Sequence, residues 1–264
     1  MRYLLATSFA AALASAALVA AAPAIDPALT AAIKAPTRAA ANVARDKYRH
    51  PAETLAFFGV KPGDHVVEIW PAGGWYTEIL APYLAAKGRY IAAAPSDKAR
   101  GGVQKLMAAH PQVYDKIAFA TFPSADAPDR VAPGSVDKVL TFRNVHNWMG
   151  GGAAQAAFDQ MFAMLKPGGV LGVVEHRLPE NAKGITEAKS GYVKRSTVLA
   201  LATKAGFKLV GESQINANPK DMHDYPKGVW TLPPNYAEGD KDRAKYAAIG
   251  ESDRMTLKFV KPGR

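Results

Sequence analysis

The 264-residue chain contains no cysteine. That absence excludes a disulfide framework, a thiolate zinc site and lipid attachment through an N-terminal cysteine. Long apolar runs are nearly as scarce. Leu4 to Ala22 is one, and no later segment is long and apolar enough to span a bilayer. Acidic residues are outnumbered, 23 Asp and Glu against 33 Lys and Arg, which leaves a formal charge of +10. Such a chain is drawn to anionic surfaces. The basic residues are scattered rather than gathered into a patch, so nucleic acid is not an expected partner.

What is present begins with a leader. Arg2 supplies a positive start, the apolar run follows, and Ala20-Ala21-Ala22-Pro23-Ala24 offers small residues suited to signal peptidase. This plan predicts a signal peptide over residues 1–24, cleaved after Ala22 or Ala24. The protein is then expected in the periplasm or secreted, with no stable membrane insertion after cleavage; a retained anchor is the other reading of the same run. A helical arm is expected over residues 25–58 and an α/β domain over 59–264. The Pro-, Asp- and Lys-rich stretch 216–250 reads as a surface insertion in that domain.

From Lys61-Pro62-Gly63-Asp64 onward, short apolar runs alternate with helical ones. Strands are predicted at His65–Ile69, Arg89–Ala93, Ile117–Thr121, Val136–Thr141 and Val170–Glu175. Helices are predicted between and after them, at Thr77–Ala86, Gly101–Ala109, Ala153–Leu165 and Arg195–Ala205. Lys208–Gln214 and Met255–Val260 are expected to close the chain as an antiparallel hairpin. This order implies a mostly parallel sheet with helices on both faces.

The first strand leads into a helix through Trp70-Pro71-Ala72-Gly73-Gly74-Trp75-Tyr76. Glycine lets backbone approach a ligand closely, and a helix N-terminus offers unpaired N–H groups. Ligands of parallel sheets sit beyond the carboxyl ends of the strands, where strand order reverses. Any tight strand-to-helix turn uses such glycines, so the pair alone does not establish a cofactor. A second polar cluster, Arg143-Asn144-Val145-His146-Asn147-Trp148, follows the fourth strand and should face the same edge. Polar groups crowded there are costly in a pure core.

Several segments together carry a resemblance. They are Arg45–Pro51, Gly59–Gly63, Glu68-Ile69, Gly73–Thr77, Arg143–Trp148, Leu165–Gly169 and Glu175–Arg177. In these the chain resembles the class I S-adenosylmethionine-dependent methyltransferases, and most closely a group of bacterial, often exported methyltransferases. The resemblance implies a Rossmann-like, mostly parallel seven-stranded sheet and S-adenosylmethionine as cofactor. It implies that Glu68 organises the loop near the methionine amine, with Pro71, Gly73, Gly74, Trp75 and Tyr76 along the cofactor. Trp70 and Ala72 stand where such loops often carry glycine. The acid that usually ends the second strand and accepts the ribose hydroxyls is absent from Arg89-Tyr90-Ile91-Ala92-Ala93-Ala94-Pro95. Either Ser96 or Asp97 takes its place or adenosine binding is weakened. Asp126 either meets the adenine amine or is a turn residue. Arg143 and Asn144 would orient the loop, the cofactor or a substrate.

The cluster also resembles the His-Asp-Trp segment of O-methyltransferases, with Asn147 in place of the aspartate. That implies His146 as general base; its residue-level alternative is a histidine bonded to backbone or packed on Trp148. Arg49, His50, Asn147, Trp148, Glu175 and His176 are the candidate substrate contacts. On the helical arm, Arg45, Asp46, Arg49 and His50 share one face, which either lines the site or forms solvated ion pairs. Asp221, His223 and Asp224 match no firm metal spacing, and no metal is expected; Tyr225, Trp230 and Tyr236 nearby would form a lid. The expected activity is methyl transfer to an oxygen or nitrogen of a small molecule. The alternatives are an exported, non-catalytic binding protein on the same fold and a basic envelope protein recognising anionic wall material.

Overall fold

The protein's computed structural model describes residues 25–263, so the leader expected over 1–24 lies outside it. Its first helix, α1 (Pro27–Ile33), is capped by Asp26, whose carboxylate accepts from the Ala28 N–H at 2.7 Å, and has proline at its first position. The arm continues through α2 (Ala40–Val43), α3 (Asp46–Arg49) and α4 (Pro51–Phe58). Gly59, at φ 70°, ends α4 in the left-handed region that glycine reaches without strain.

Strand β1 (His65–Ile69) is buried from Val66 onward, as a central strand covered on both faces should be. Then follow α5 (Thr77–Leu84), β2 (Arg89–Ala94), α6 (Asp97–Ala109), α7 (Pro111–Tyr114), β3 (Ala118–Thr121) and β4 (Val136–Phe142). Next come α8 (Val145–Gly150), α9 (Ala154–Met164), β5 (Leu165–Leu178), β6 (Val193–Lys194) and α10 (Arg195–Lys204). The chain closes with β7 (Lys208–Ser213), α11 (Arg243–Ile249) and β8 (Arg254–Val260).

The sheet runs β3-β2-β1-β4-β5-β8-β7. Its first five strands are parallel, and β8 lies antiparallel between β5 and β7. Successive residues of β1 feed opposite layers. Val66 joins Leu55, Phe58, Ile79 and Leu80 under α4 and α5, whereas Val67 and Ile69 join Phe158, Met161 and Val198 under α9 and α10. Fully burying each such side chain is worth about 1.5–3 kcal/mol, which is what holds the helices to the sheet.

The expected fold is the observed one, with two additions. Strand β5 runs past the sheet edge to Leu178, where its free side takes β6 as a short parallel partner. The polar cluster after β4, given no element by the sequence, starts helix α8. The stretch 216–250 holds a 3₁₀ turn at Gly228–Thr231 and α11. Buried Asp221 fastens it to the body, accepting from the Tyr192 hydroxyl at 3.0 Å and the Asp253 N–H at 2.7 Å. Among the described residues no helix is long and apolar enough to cross a membrane.

Candidate functional site

Strand order reverses between β1 and β4, and the carboxyl ends of those two strands open into a cavity of about 380 Å³. Its floor is the β1–α5 loop and the start of α8. The arm closes one side through Arg45 and Arg49, and Trp230, Pro233 and Pro234 of the 216–250 stretch close another.

The loop alternates into left-handed backbone at Trp70 (φ 49°), Ala72 (φ 51°) and Gly74 (φ 82°). A side chain in that region costs roughly 1–3 kcal/mol, so two non-glycine residues there mark a turn the surroundings impose. Trp70 is held by its indole N–H donating to the Phe122 carbonyl at 3.0 Å and by an edge contact with Trp148 at 5.9 Å. Helix α6 presses on the same turn. A Cβ on Gly102 would lie 2.2 Å from the Ala72 carbonyl oxygen, so this helix reaches the loop only because residue 102 has no side chain.

Glu68 lines the cavity from the end of β1 and is otherwise buried. One carboxylate oxygen, Oε2, accepts from Thr77 at 3.1 Å and from the Tyr90 hydroxyl. Among the described residues nothing donates to Oε1. Burial raises the carboxyl to about 7 against the opposing hydrogen bonds of Tyr90 and Thr77 and the charge of Arg143.

His146 sits in the first turn of α8 with Nδ1 3.0 Å from Glu175 Oε1. Glu175 is fully buried and also accepts from the backbone N–H groups of Val145 (2.6 Å), His146 (3.4 Å) and His176 (2.8 Å). It therefore caps α8 and fixes the imidazole in one move. An acceptor at Nδ1 selects the Nδ1–H tautomer and leaves Nε2 with a lone pair. The neighbouring His176, hydrogen-bonded through Nδ1 to Ser252, is pushed well below its ordinary value by burial and then by the charges of His146, Arg143, Arg254 and Arg49.

Guanidinium groups dominate the rest of the wall. Arg45, Arg49 and Arg254 all pair with Glu251, at 3.1 Å for Arg49 and 3.0 Å for Arg254. Despite burial, those charges draw the Glu251 carboxyl down to about 2. Arg143, whose own backbone is left-handed at φ 63°, lines the cavity with no carboxylate within ion-pair distance among the described residues. Trp75 lies under Arg49 at 4.7 Å and donates its indole N–H to the Asn42 carbonyl at 2.9 Å, locking the arm to the loop.

Of the residues expected at the site, Glu68, Pro71, Gly73, Trp75, Tyr76, Arg143, Asn144, His146, Asn147, Arg49 and His176 line one cavity. The others lie elsewhere. Glu175, expected at a substrate, stands behind His146 as its hydrogen-bond partner. Trp148 packs into the core against Trp70, Phe122 and Phe158, because α8 turns that face inward. His50 is the left-handed link between α3 and α4, and Gly74 is a turn glycine outside the lining. At the ends of β2 and β3, Ser96 caps α6 and exposed Asp97 pairs with Arg100 at 3.1 Å. Asp126 is exposed on the following loop. Ser96, Asp97 and Asp126 all lie outside the cavity lining.

Sequence reasoning missed Glu251 and Ser252. A signal was present. Strand β8 is antiparallel, so its beginning, not its end, lies at the edge where the parallel strands finish, and Glu251-Ser252-Asp253-Arg254 immediately precedes or opens it. The lining residues Asn42, Phe142 and Pro233-Pro234 carried no such signal.

The residues fit S-adenosylmethionine at its aminoacyl end, where Glu68 presents an unpartnered carboxylate oxygen suited to an ammonium. At the adenosine end Ala94 closes β2, and no carboxylate there lines the cavity. His146, Glu175 and His176 also bring three potential metal-ligand atoms within 4.8 Å of one another. The guanidiniums beside them disfavour a cation.

No family model matches the sequence, and no curated protein matches it. Solved structures do. A SAM-dependent methyltransferase from Aquifex aeolicus superposes with a TM-score of 0.58 at 13% identity, over 83% of this chain and 93% of that one. The fold is that of the class I methyltransferases. The [4+2]-cyclase SpnF superposes equally well, with a TM-score of 0.58 at 14% identity over 82% of this chain and 81% of its own. The arsenic(III) S-adenosylmethionine methyltransferase CrArsM from Chlamydomonas reinhardtii gives a TM-score of 0.50 at 14% identity, over 90% and 74%. This fold therefore carries more than one chemistry.

Proposed function

We propose that the protein is an S-adenosylmethionine-dependent methyltransferase acting on an oxygen or nitrogen nucleophile of a small molecule, exported by the leader over residues 1–24. One observation carries the reading: Glu68, His146 and the left-handed β1–α5 turn converge on one cavity at the strand-order reversal of this fold. When bound, S-adenosylmethionine supplies an electrophilic methyl group.

The chain's own residues do the rest. Glu68 Oε1 holds the ammonium and so positions the aminoacyl end. Trp230, Pro233 and Pro234 exclude water from the cavity, and Asn147 offers an amide to the acceptor. The nucleophile's proton goes to His146 Nε2. The Glu175 carboxylate at Nδ1 steadies the imidazolium that forms, and positioned general bases of this kind contribute typically 10²–10⁴-fold.

The second reading, a non-catalytic binding protein, draws on the missing acid at the end of β2. Titration calorimetry of the folded protein with S-adenosylmethionine separates the two. The methyltransferase reading expects saturable binding, and a folded protein that gives no heat at high cofactor concentration defeats it.

A further inference from the structure

We propose that the cavity recognises an anionic acceptor, a carboxylate or phosphate, through Arg143, with Arg45 and Arg49 completing the positive wall. The acceptor role rests on the methyltransferase reading; the anion site does not.

Arg143 differs from the other guanidiniums of this cavity. Arg45 and Arg49 share Glu251, which Arg254 also pairs with from outside the lining. Arg143 makes no side-chain hydrogen bond or ion pair among the described residues, although it lines the same cavity as Tyr76, Glu68 and His176. Arg143 is half-buried, and an unpaired guanidinium facing a cavity has its planar fork free for the two oxygens of a carboxylate or phosphate. Its backbone is held as well. The left-handed φ of 63° turns the chain out of β4, and the Arg143 N–H donates to the Val174 carbonyl at 2.7 Å.

The charge balance agrees. Three guanidiniums line the cavity, those of Arg45, Arg49 and Arg143, and Glu251, the carboxylate that pairs with Arg45 and Arg49 among the described residues, is shared with Arg254 outside the lining. The other carboxylate at the lining, Glu68, is held high by burial and is only partly ionised near neutrality. A net positive, partly enclosed cleft concentrates anions. The same balance argues against a metal on His146, Glu175 and His176. A cation there would meet the charges of Arg143, Arg254 and Arg49, which add to burial and His146 in lowering His176.

The anion has two possible sources, the acceptor or the cofactor's own carboxylate, and one set of titrations separates them. The full chain is titrated at low ionic strength with inorganic phosphate and with succinate, each with and without saturating S-adenosylmethionine. The proposal expects at least one anion to bind alongside the cofactor. Arg143→Gln should weaken that anion tenfold or more, while cofactor affinity changes less than threefold. Lys241→Gln, the same charge change at an exposed site, should leave both within twofold.

Absence of anion binding to folded wild type overturns the proposal, as does an Arg143→Gln variant that binds anions normally. Displacement of the anion by S-adenosylmethionine, with Arg143→Gln weakening both equally, also overturns it, by assigning the arginine to the cofactor. Arg143-dependent anion binding without any cofactor binding upholds the site and defeats the methyltransferase reading. Should Arg143→Gln fail to fold, Arg143→Lys keeps the charge without the fork and should still weaken the anion threefold or more.

Discussion

The carboxyl edge of the sheet has two halves of opposite construction. Over β1 and β4 the chain gathers the buried groups Glu68, His146, Glu175 and Glu251, with half-buried Arg143 beside them. One carboxyl is raised to about 7 by burial and another is drawn down to about 2 by arginines. Over β2 and β3 the polar groups are spent on local structure: Ser96 caps a helix, and Arg100 pairs with Asp97 and Asp129. The carboxyls most strongly shifted at this edge, Glu68 and Glu251, lie in the first half, while Asp97, Asp126 and Asp129 of the second half are exposed. By the same contrast, S-adenosylmethionine should be gripped at its aminoacyl end and held at adenosine by shape and backbone.

The largest expected effect lies in the buried half. His146→Ala should lower turnover on an identified acceptor by about 10²–10⁴-fold with cofactor affinity unchanged, measured by steady-state kinetics beside calorimetry. Unchanged turnover would reduce the His146–Glu175 pair to helix capping.

The next effect tests the joint between the halves. Gly102→Ala should destabilise the protein by about 1–3 kcal/mol, because the new methyl must displace the Ala72 carbonyl of the β1–α5 loop. Gly101→Ala, where a Cβ meets nothing within 4 Å, should instead stabilise by up to about 1 kcal/mol. Equal thermal shifts for the two variants would mean that α6 does not press on the loop.

The smallest effect belongs to the surface half. Asp97→Asn should change S-adenosylmethionine affinity less than twofold by calorimetry. A tenfold loss would show Asp97 serving as the missing ribose acid and would erase the contrast.

How far the sequence revealed each half follows from range. Strand and helix order was legible because apolar runs and glycine turns are local, and the His65–Ile69 strand with its Gly73-Gly74 exit located the site edge. The partners of site residues were not legible. Glu175 looked like a substrate contact because its place at a strand end is visible in sequence, whereas its bond to His146 depends on α8 starting there. Trp148 looked like a substrate contact because its helical phase was unknown. Glu251 was missed because its position depends on the reversed direction of β8. Left-handed backbone at Trp70 and Ala72, by contrast, agrees with their standing where related loops carry glycine.

Glu68 gives the site a pH response near neutrality. Its folded value, about 7, lies above the ordinary 4.5, so its contribution to stability is present below about pH 4.5 and is lost as pH rises through 7. The shift corresponds to about 3 kcal/mol. A bound ammonium reverses the preference by favouring the ionised carboxylate. The most direct test is therefore calorimetric titration of S-adenosylmethionine into wild type and Glu68→Gln at pH 6 and pH 7.5. Wild type should bind about five- to tenfold tighter at pH 7.5, as Glu68 gives up its proton while an α-ammonium keeps most of its own. Glu68→Gln should bind at least tenfold more weakly at pH 7.5 and show little pH dependence. Equal affinities for the two proteins at both pH values, or no binding by the folded wild type, would contradict the account.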